Sequence, residues 1–204
     1  MRTTAAVSLE VVLAVLAFGV RSWVQWRRTG STGFILPRRG APIVERVGAG
    51  LFVLAIALLV VAPIIDAGGS GRWPPFDNPA VAVLGVVLAV AGIVLCVVAQ
   101  FAMGDSWRIG VDASAQTALV TGGIFGRVRN PIFSAMVLAT AGFALLLPNV
   151  WAFGAFVALL LGLELQVRYV EEPYLLGVHG DAYVCYTARA GRFAPGVGTT
   201  KAAV

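Results

Sequence analysis

The sequence of 204 residues has very few charged side chains, and this shortage decides its class. Charged residues make up 12% of the chain, whereas hydrophobic residues make up 59%. A soluble domain carries roughly a quarter charged residues, because its whole surface faces water. So few charges cannot cover a surface of that kind. We therefore expect an integral membrane protein.

Residues that bind metals or form disulfides are equally scarce. The chain contains one histidine and two cysteines. Cys96 lies inside an apolar run and Cys185 near the C-terminus, which is typical of neither a disulfide framework nor a zinc site. We therefore expect no metal site and no structural disulfide.

The positive net charge has a simpler explanation than nucleic acid binding. The formal net charge is +5, which in a soluble protein would favour a nucleic acid partner. Here the arginines lie beside apolar segments, where membrane topology and anionic lipid headgroups explain them. We expect membrane lipids as partners and no nucleic acid.

Apolar runs make up most of the chain and predict about five transmembrane helices. They are residues 5–20, 47–65, 80–101, 131–147 and 150–163. A helix needs about 20 residues to span the hydrocarbon core. The fifth run becomes polar at Glu164 without a helix breaker, so this helix should leave the membrane while continuing. The expected fold class is an all-α integral membrane protein.

The distribution of arginine predicts the orientation. The first connection contains Arg21, Arg27, Arg28, Arg38, Arg39 and Arg46, and the third contains Arg108, Arg127 and Arg129. The second has more acidic than basic residues, and the fourth is only Pro148-Asn149. Cytoplasmic loops are enriched in Lys and Arg. We expect a multi-pass protein of the plasma or inner membrane, with its N-terminus outside and its C-terminus in the cytoplasm.

The stretch LVTGGIFGRVRNPIF, from Leu119 to Phe133, is the longest departure from apolar sequence in the second half. Its polar character comes from Gly122, Gly123, Gly126, Arg127 and Arg129. Glycines let a ligand approach backbone N–H groups closely. Pro131 then begins the next apolar run, as proline does in the first turn of a helix. The stretch is a candidate anion-binding loop, and the alternative is a membrane loop with interfacial arginines.

A charged stripe continues the fifth apolar run. Four residues at helical spacing share one predicted face: Glu164, Arg168, Glu171 and Leu175. Arg168 could pair with Glu164, Glu171 or Glu172. A surface ladder of ion pairs is one interpretation. Because the stripe grows out of a membrane helix, a buried polar cavity is the other, in which a carboxylate could bind an ammonium or sulfonium group.

Two tyrosines and the histidine follow this stripe. Tyr183 and Tyr186 are three residues apart and share a helix face. They could lie at the membrane interface or stack on an adenine ring. His179 precedes Gly180 and is either a structural residue or a candidate general base.

Together these segments resemble the isoprenylcysteine carboxyl methyltransferase family and related membrane phospholipid methyltransferases. The order is an LVT-G-G loop, R-N-P-x-F, a helical hairpin, R-x-x-E-E, G-x-x-Y-x-x-Y and R-F-x-P, within residues 119–195. The resemblance implies a membrane-embedded helical fold, with S-adenosylmethionine as the cofactor. The family pattern of the loop is G-P-Y-R-Y-V-R-H-P-x-Y. Asn130 stands where that pattern has histidine, and Phe125 and Phe133 stand where it has tyrosine.

The resemblance also implies site residues. The cofactor pocket would involve Thr117, Ala118, Leu119, Val120, Gly123, Phe125, Arg129, Asn130, Pro131, Phe133, Glu171 and Tyr183. Glu171 would meet the amino group of the cofactor, and Arg168 would be the substrate-side arginine. A carboxylate acceptor needs no base, whereas an amine or thiol must lose a proton to His179 or Glu172. Arg168, Glu172 and His179 are therefore the candidate catalytic residues.

The expected function is methyl transfer from S-adenosylmethionine to a lipophilic small molecule, with a carboxylate or amine headgroup, that enters from the bilayer. Residues 119–195 would form the methyltransferase-like core in a cytoplasmic C-terminal helical region. Residues 1–118 would supply three transmembrane helices, and residues 196–204 a disordered tail. Two alternatives are an NADPH-dependent membrane reductase of the sterol-reductase type and a non-enzymatic membrane protein or decayed homologue.

Overall fold

Helices make up most of the structure, a computed structural model that describes residues 1–35, 40–69, 71–108 and 118–200. The helices are α1 (Arg2–Thr29), α2 (Ile43–Ala67), α3 (Pro79–Ala102), α4 (Pro131–Leu146), α5 (Val150–His179) and α6 (Asp181–Arg189). Within the described ranges, α1, α2, α3 and α5 are long and apolar enough to cross a membrane, and α4 is a shorter apolar helix. The predicted all-α membrane fold is confirmed. Arg38, Arg39 and Thr117 lie outside the described residues.

Local sequence explains where two of the membrane helices begin. The Asn78 side chain accepts a hydrogen bond from the Val81 N–H at 3.0 Å and caps α3. The Asn149 side chain accepts one from the Ala152 N–H at 2.9 Å and caps α5. The same Asn149 amide donates to the Ala62 carbonyl at 3.1 Å. It therefore caps α5 and binds α5 to α2 at once.

Helices α3 and α4 pack unusually closely because glycines face each other's backbone. A Cβ on Gly92 would lie 2.4 Å from the Ala139 nitrogen, and one on Gly142 would lie 2.3 Å from the Ala89 nitrogen. Small residues of this kind let membrane helices approach each other without side chains between them. The close packing holds α4, whose N-terminus carries the polar loop, against the end of α3.

Helix α1 packs on this pair. Leu13 and Ala17 are buried in a cluster with Ala89, Ile93 and Ala139. A π-helical stretch, Ala14–Val20, interrupts the α-helical hydrogen bonding of α1. There the Ala17 carbonyl accepts a hydrogen bond at 3.0 Å from the amide of Gln100 in α3. This contact places the middle of α1 beside the end of α3.

The C-terminal segment folds back on the loop before α4. The Arg129 N–H donates to the Gly191 carbonyl at 2.8 Å, and the Gly191 N–H donates to the Arg127 carbonyl at 3.0 Å. Residues 196–200 were assigned from sequence to a disordered tail, but the Thr200 N–H donates to the Thr187 carbonyl at 3.1 Å. Residues 201–204 lie outside the described residues. The backfolded segment fixes the loop that leads into α4.

Candidate functional site

A cavity of about 140 Å³ lies where α1, α2, α3, α4 and α5 meet, and we call it the Glu171 cavity. Its polar lining residues are Gln100, Arg108, Arg129, Asn130, Glu171 and Tyr174. Its apolar lining includes Phe18, Phe52, Ile132 and Met136, which lie inside the membrane helices. The cavity is therefore amphipathic, with charged groups and hydrocarbon-like surfaces around one space.

Six of the residues assigned to a cofactor pocket from sequence line this cavity. They are Phe125, Arg129, Asn130, Pro131, Phe133 and Glu171. They come from the loop before α4, from the first turn of α4 and from α5. The fold thus brings Glu171 next to a loop that lies some forty residues earlier in the chain.

The remaining described members of that predicted pocket lie elsewhere. Ala118, Leu119, Val120, Gly123 and Tyr183 do not line the cavity. Tyr183 is 4% exposed and packs with Tyr186, Ala190 and Leu119 in a small core beneath the loop. These contacts pack α6 against the start of the loop before α4. Tyr183, for which adenine stacking was one expectation, lines neither this cavity nor the second cavity described below.

The predicted single charged face of α5 is wrong. Glu171 lines the first cavity, whereas Glu164 and Arg168 line a second cavity of about 310 Å³ together with Arg192. The reason is a π-helical stretch, Val167–Glu171, inside α5. A π turn contains one extra residue, which rotates the following side chains by about 100° relative to an α-helix. Arg168 pairs with Glu164, one of the three partners expected from sequence, and is half exposed.

Glu172 joins two segments of the chain. Its carboxylate accepts a hydrogen bond from Arg129 Nη2 at 2.8 Å. It also accepts hydrogen bonds from Arg192 Nε at 2.7 Å and from Arg192 Nη2 at 2.9 Å. The hydrogen bonds with Glu172 raise the pKa of Arg192. This candidate catalytic carboxylate is therefore bound by two arginines. It does not line the Glu171 cavity.

Arg129 is the centre of this cluster. Its side chain is 2% exposed, and its Nη1 donates to the Ala190 carbonyl at 2.5 Å. Its Nη2 also donates to the Gly198 carbonyl at 3.1 Å. Arg129 thereby joins the loop, the end of α6 and the backfolded C-terminal segment. Helical spacing alone pairs Glu172 only with its neighbours in the helix, so this cluster was not predicted from the sequence.

A hydrogen bond from Tyr186 joins α6 to the loop before α4. Its hydroxyl donates to the Phe125 carbonyl at 2.7 Å. Burial raises the pKa of Tyr186 to about 12, so the hydroxyl keeps its proton at neutral pH and remains a donor. Because the Phe125 side chain lines the Glu171 cavity, Tyr186 positions one wall of that cavity.

Residues 80–182, about half of the chain, match the family model of phospholipid methyltransferases. The chain belongs to this family. The matched segment begins in α3, ends in α6 and includes the loop, Glu171 and Glu172. The suspected relationship is thus confirmed at the level of the family.

Structural comparison agrees with this family assignment. The fold is similar to that of a eukaryotic intramembrane Ras methyltransferase, isoprenylcysteine carboxyl methyltransferase, with a TM-score of 0.62 and 19% identity. The similarity covers 93% of this chain and 66% of that protein. A comparison with curated proteins found no match. Like its structural neighbour, this member of the phospholipid methyltransferase family is an integral membrane protein.

Two further features concern the chemistry available to this phospholipid methyltransferase family member. His179 is the last residue of α5, is partly exposed and lines neither cavity. Among the described residues, no group of three or more His, Cys, Asp and Glu side chains could hold a metal ion. The cavity is therefore lined by one carboxylate, two side-chain amides, one tyrosine and two arginines.

Sequence reasoning missed the part of the cavity that the first three helices build. Gln100, Met103 and Trp107 line it from the end of α3, and Phe18 and Phe52 line it from α1 and α2. The one available signal was Gln100, a polar residue at the end of an apolar run. The phenylalanines are indistinguishable in sequence from residues that face lipid.

Proposed function

We propose that this chain is an S-adenosylmethionine-dependent methyltransferase that methylates a lipophilic small molecule. The supporting observation is that Glu171, Asn130 and the aromatic rings of the loop line one amphipathic cavity. The family relationship supports methyl transfer, and the apolar lining supports a lipophilic acceptor.

The residues of the cavity fit S-adenosylmethionine chemically. Within the described chain, Glu171 forms no ion pair with an arginine or lysine, and its side chain bonds to the neutral Gln166. Its carboxylate is therefore available to an ammonium or sulfonium group. Phe125 and Phe133 provide rings on which adenine can stack. The Asn130 amide donates to the Arg192 carbonyl at 3.1 Å, which leaves its oxygen as an acceptor for a hydroxyl group.

The residues of the cavity would bind the cofactor and the acceptor, orient them and exclude water. When bound, S-adenosylmethionine supplies an electrophilic methyl group, which needs no metal for its transfer. Glu171 would orient the cofactor, while Phe18, Phe52 and Met136 keep water out of the acceptor side. Holding two reactants in line and excluding solvent account for much of the acceleration of such displacements.

The positions of the candidate bases favour some acceptors over others. Glu172 is engaged by two arginines, and His179 lies outside the cavity. An amine or thiol would need one of them to take its proton. A carboxylate is ionised at neutral pH and needs neither. These positions support an acceptor whose reacting atom is already unprotonated.

Transfer of a tritiated methyl group tests the proposal. Purified protein in lipid vesicles would be incubated with methyl-labelled S-adenosylmethionine and lipid extracted from its native membrane. We expect label in the organic phase. The label should be lost in Glu171→Gln and retained in Arg189→Gln, which changes an exposed arginine of α6. If a folded protein transfers no label and binds no S-adenosylmethionine, the proposal is overturned.

A further inference from the structure

Two arginines line the Glu171 cavity, and they differ in whether a carboxylate already binds them. Arg129 is 2% exposed and pairs with Glu172 at 2.8 Å. Its guanidinium also donates to backbone carbonyls of α6 and of the backfolded C-terminal segment. Arg108, which is only partly buried, forms no ion pair and no side-chain hydrogen bond within the described part of the chain. Its guanidinium is therefore free to meet a ligand in the cavity.

The neighbouring arginines cannot replace Arg108 in this cavity. Arg168 and Arg192 line the second cavity, and each pairs with a glutamate. Arg127 is exposed and lines neither cavity. Arg108 is therefore the positive charge that a ligand beside Glu171 can use, although the substrate-side arginine was expected at Arg168.

Helix α1 fixes the backbone that leads to Arg108. The Arg21 side chain donates to the Gly104 carbonyl at 2.5 Å, in the turn after α3. Trp107, the residue directly before Arg108, is fully buried, and the Arg21 guanidinium carbon lies 4.6 Å from the centroid of its ring. Because this backbone is already held in place, less conformational freedom is lost when the Arg108 side chain binds a ligand.

Arg108 and Glu171 present opposite charges to one space from the end of α3 and from α5. These two described side chains form no ion pair with each other, and Glu171 bonds to the neutral Gln166. Charges that are kept apart around a cavity complement the opposite charges of a ligand. A guanidinium binds a carboxylate through two parallel hydrogen bonds. The position of Arg108 therefore favours a ligand carboxylate.

We propose that Arg108 determines specificity in the Glu171 cavity by binding a ligand carboxylate. Two ligands can present this group. One is S-adenosylmethionine, whose amino-acid end carries a carboxylate beside the ammonium group that Glu171 would bind. The other is an acceptor with an acid headgroup. That Arg108 acts in methyl transfer rests on the proposed function, whereas its binding of a carboxylate does not.

Two pairs of ligands test Arg108 by calorimetry on the full chain in neutral detergent at neutral pH. The first pair is S-adenosylhomocysteine and its decarboxylated analogue. The second pair is dodecanoate and methyl dodecanoate. In each pair one member carries a free carboxylate and the other does not. Charge-assisted hydrogen bonds predict that the carboxylate binds about 10- to 100-fold more tightly in at least one pair.

The pair that shows the preference identifies the source of the carboxylate. A preference in the first pair assigns Arg108 to the cofactor, and a preference in the second pair assigns it to the acceptor. Equal affinities within both pairs would overturn the proposal and leave Arg108 as an arginine that faces water or lipid headgroups.

Variants assign the preference to Arg108. Arg108→Gln should abolish it, while thermal unfolding stays close to the wild type. Arg108→Lys keeps the charge but cannot form two parallel hydrogen bonds, so it should retain only part of the preference. Arg127→Gln, at an exposed arginine of the loop before α4, should bind all four ligands like the wild type. A preference that survives in Arg108→Gln would contradict the assignment.

Failure of the proposed function would give a different result. If a folded protein binds neither adenosyl ligand of the first pair nor S-adenosylmethionine, the methyltransferase is contradicted, and the dodecanoate pair decides whether Arg108 binds a carboxylate. If S-adenosylhomocysteine binds but neither pair shows a preference, the methyltransferase stands and the role of Arg108 is overturned.

Discussion

Glu171 and Glu172 are adjacent in the chain, yet their carboxylates serve different structures. Glu171 lines the amphipathic cavity, whereas Glu172 accepts hydrogen bonds from Arg129 and Arg192 at 2.8 Å and 2.7 Å. The π-helical stretch that ends at Glu171 turns the two side chains to these positions. The pair therefore separates ligand binding from the support of the loop, and substitutions at the two positions should have different effects.

Replacement of Glu172 should mainly reduce stability. Glu172→Gln leaves two arginines, one of them 2% exposed, without their carboxylate. We expect the free energy of unfolding to fall by about 3 kcal/mol, because breaking a buried ion pair leaves uncompensated charge. Denaturation in detergent measures it. Glu164→Gln is the control and removes a more exposed pair with Arg168, for about 0.5 kcal/mol. Equal losses in the two variants would contradict this role of Glu172.

Close approach of α3 and α4 predicts a second loss of stability. Gly92→Ala places a methyl group 2.4 Å from the Ala139 nitrogen. The helices must separate, at a cost of about 1–3 kcal/mol. In Gly50→Ala the new methyl group meets no atom within 4 Å, so thermal unfolding should be unchanged or slightly raised. A Gly92→Ala protein as stable as the wild type would show that the two helices are not packed this closely.

Tyr186→Phe should weaken cofactor binding through the loop. It removes the hydrogen bond to the Phe125 carbonyl, which contributes about 1 kcal/mol. We expect a severalfold loss of S-adenosylmethionine affinity by calorimetry. Tyr169→Phe, at a 61% exposed tyrosine, should bind normally. An equal loss of affinity in both variants would contradict a specific role of the hydrogen bond between Tyr186 and Phe125.

The same hydrogen bond should respond to pH in one direction. Burial raises the pKa of Tyr186 from 10.0 to about 12. The protonated form is therefore favoured in the folded protein, and its contribution to stability is complete below pH 10 and disappears as the pH approaches 12. Unfolding of the wild type should lose this increment in that window, and Tyr186→Phe should not. A loss near neutral pH would contradict the assignment.

Labelling of a native cysteine tests the expected orientation in the membrane. Cys185 in α6 is exposed, whereas Cys96 is buried. The arginine distribution predicts that α6 lies in the cytoplasm. A membrane-impermeant maleimide should therefore label Cys185 in inverted vesicles and not in intact cells. Phe76→Cys, in the turn between α2 and α3, should show the opposite pattern when Cys185 is replaced by serine. Labelling of Cys185 in intact cells would contradict the expected topology.

The positions of the helices could be predicted because burial in lipid leaves a strong signal. The apolar run at residues 80–101 corresponds to α3, Pro79–Ala102, since continuous hydrophobicity of that length has few other causes. The loop before α4 was singled out because glycine, arginine and proline mark the sequence there. Phe125, Phe133 and Glu171 were assigned through the resemblance to a family pattern, and all three line the cavity.

The remaining features depend on packing between distant segments. The two π-helical stretches change the helical register without a distinctive sequence, so the split between Arg168 and Glu171 was not predictable. Phe18 and Phe52 line the cavity only because α1 and α2 meet α4 there. Arg21 was counted as a topology signal, although it is buried against Trp107.

The most direct test of the central claim is calorimetric titration of the purified protein with S-adenosylmethionine and S-adenosylhomocysteine, with NADPH as the control ligand. We expect saturable binding of the first two and none of NADPH. In Glu171→Gln the affinity should fall at least tenfold, while thermal unfolding stays close to the wild type. A folded wild-type protein that binds neither methyl-transfer ligand, or a Glu171→Gln variant that binds them as well as the wild type, would contradict the account.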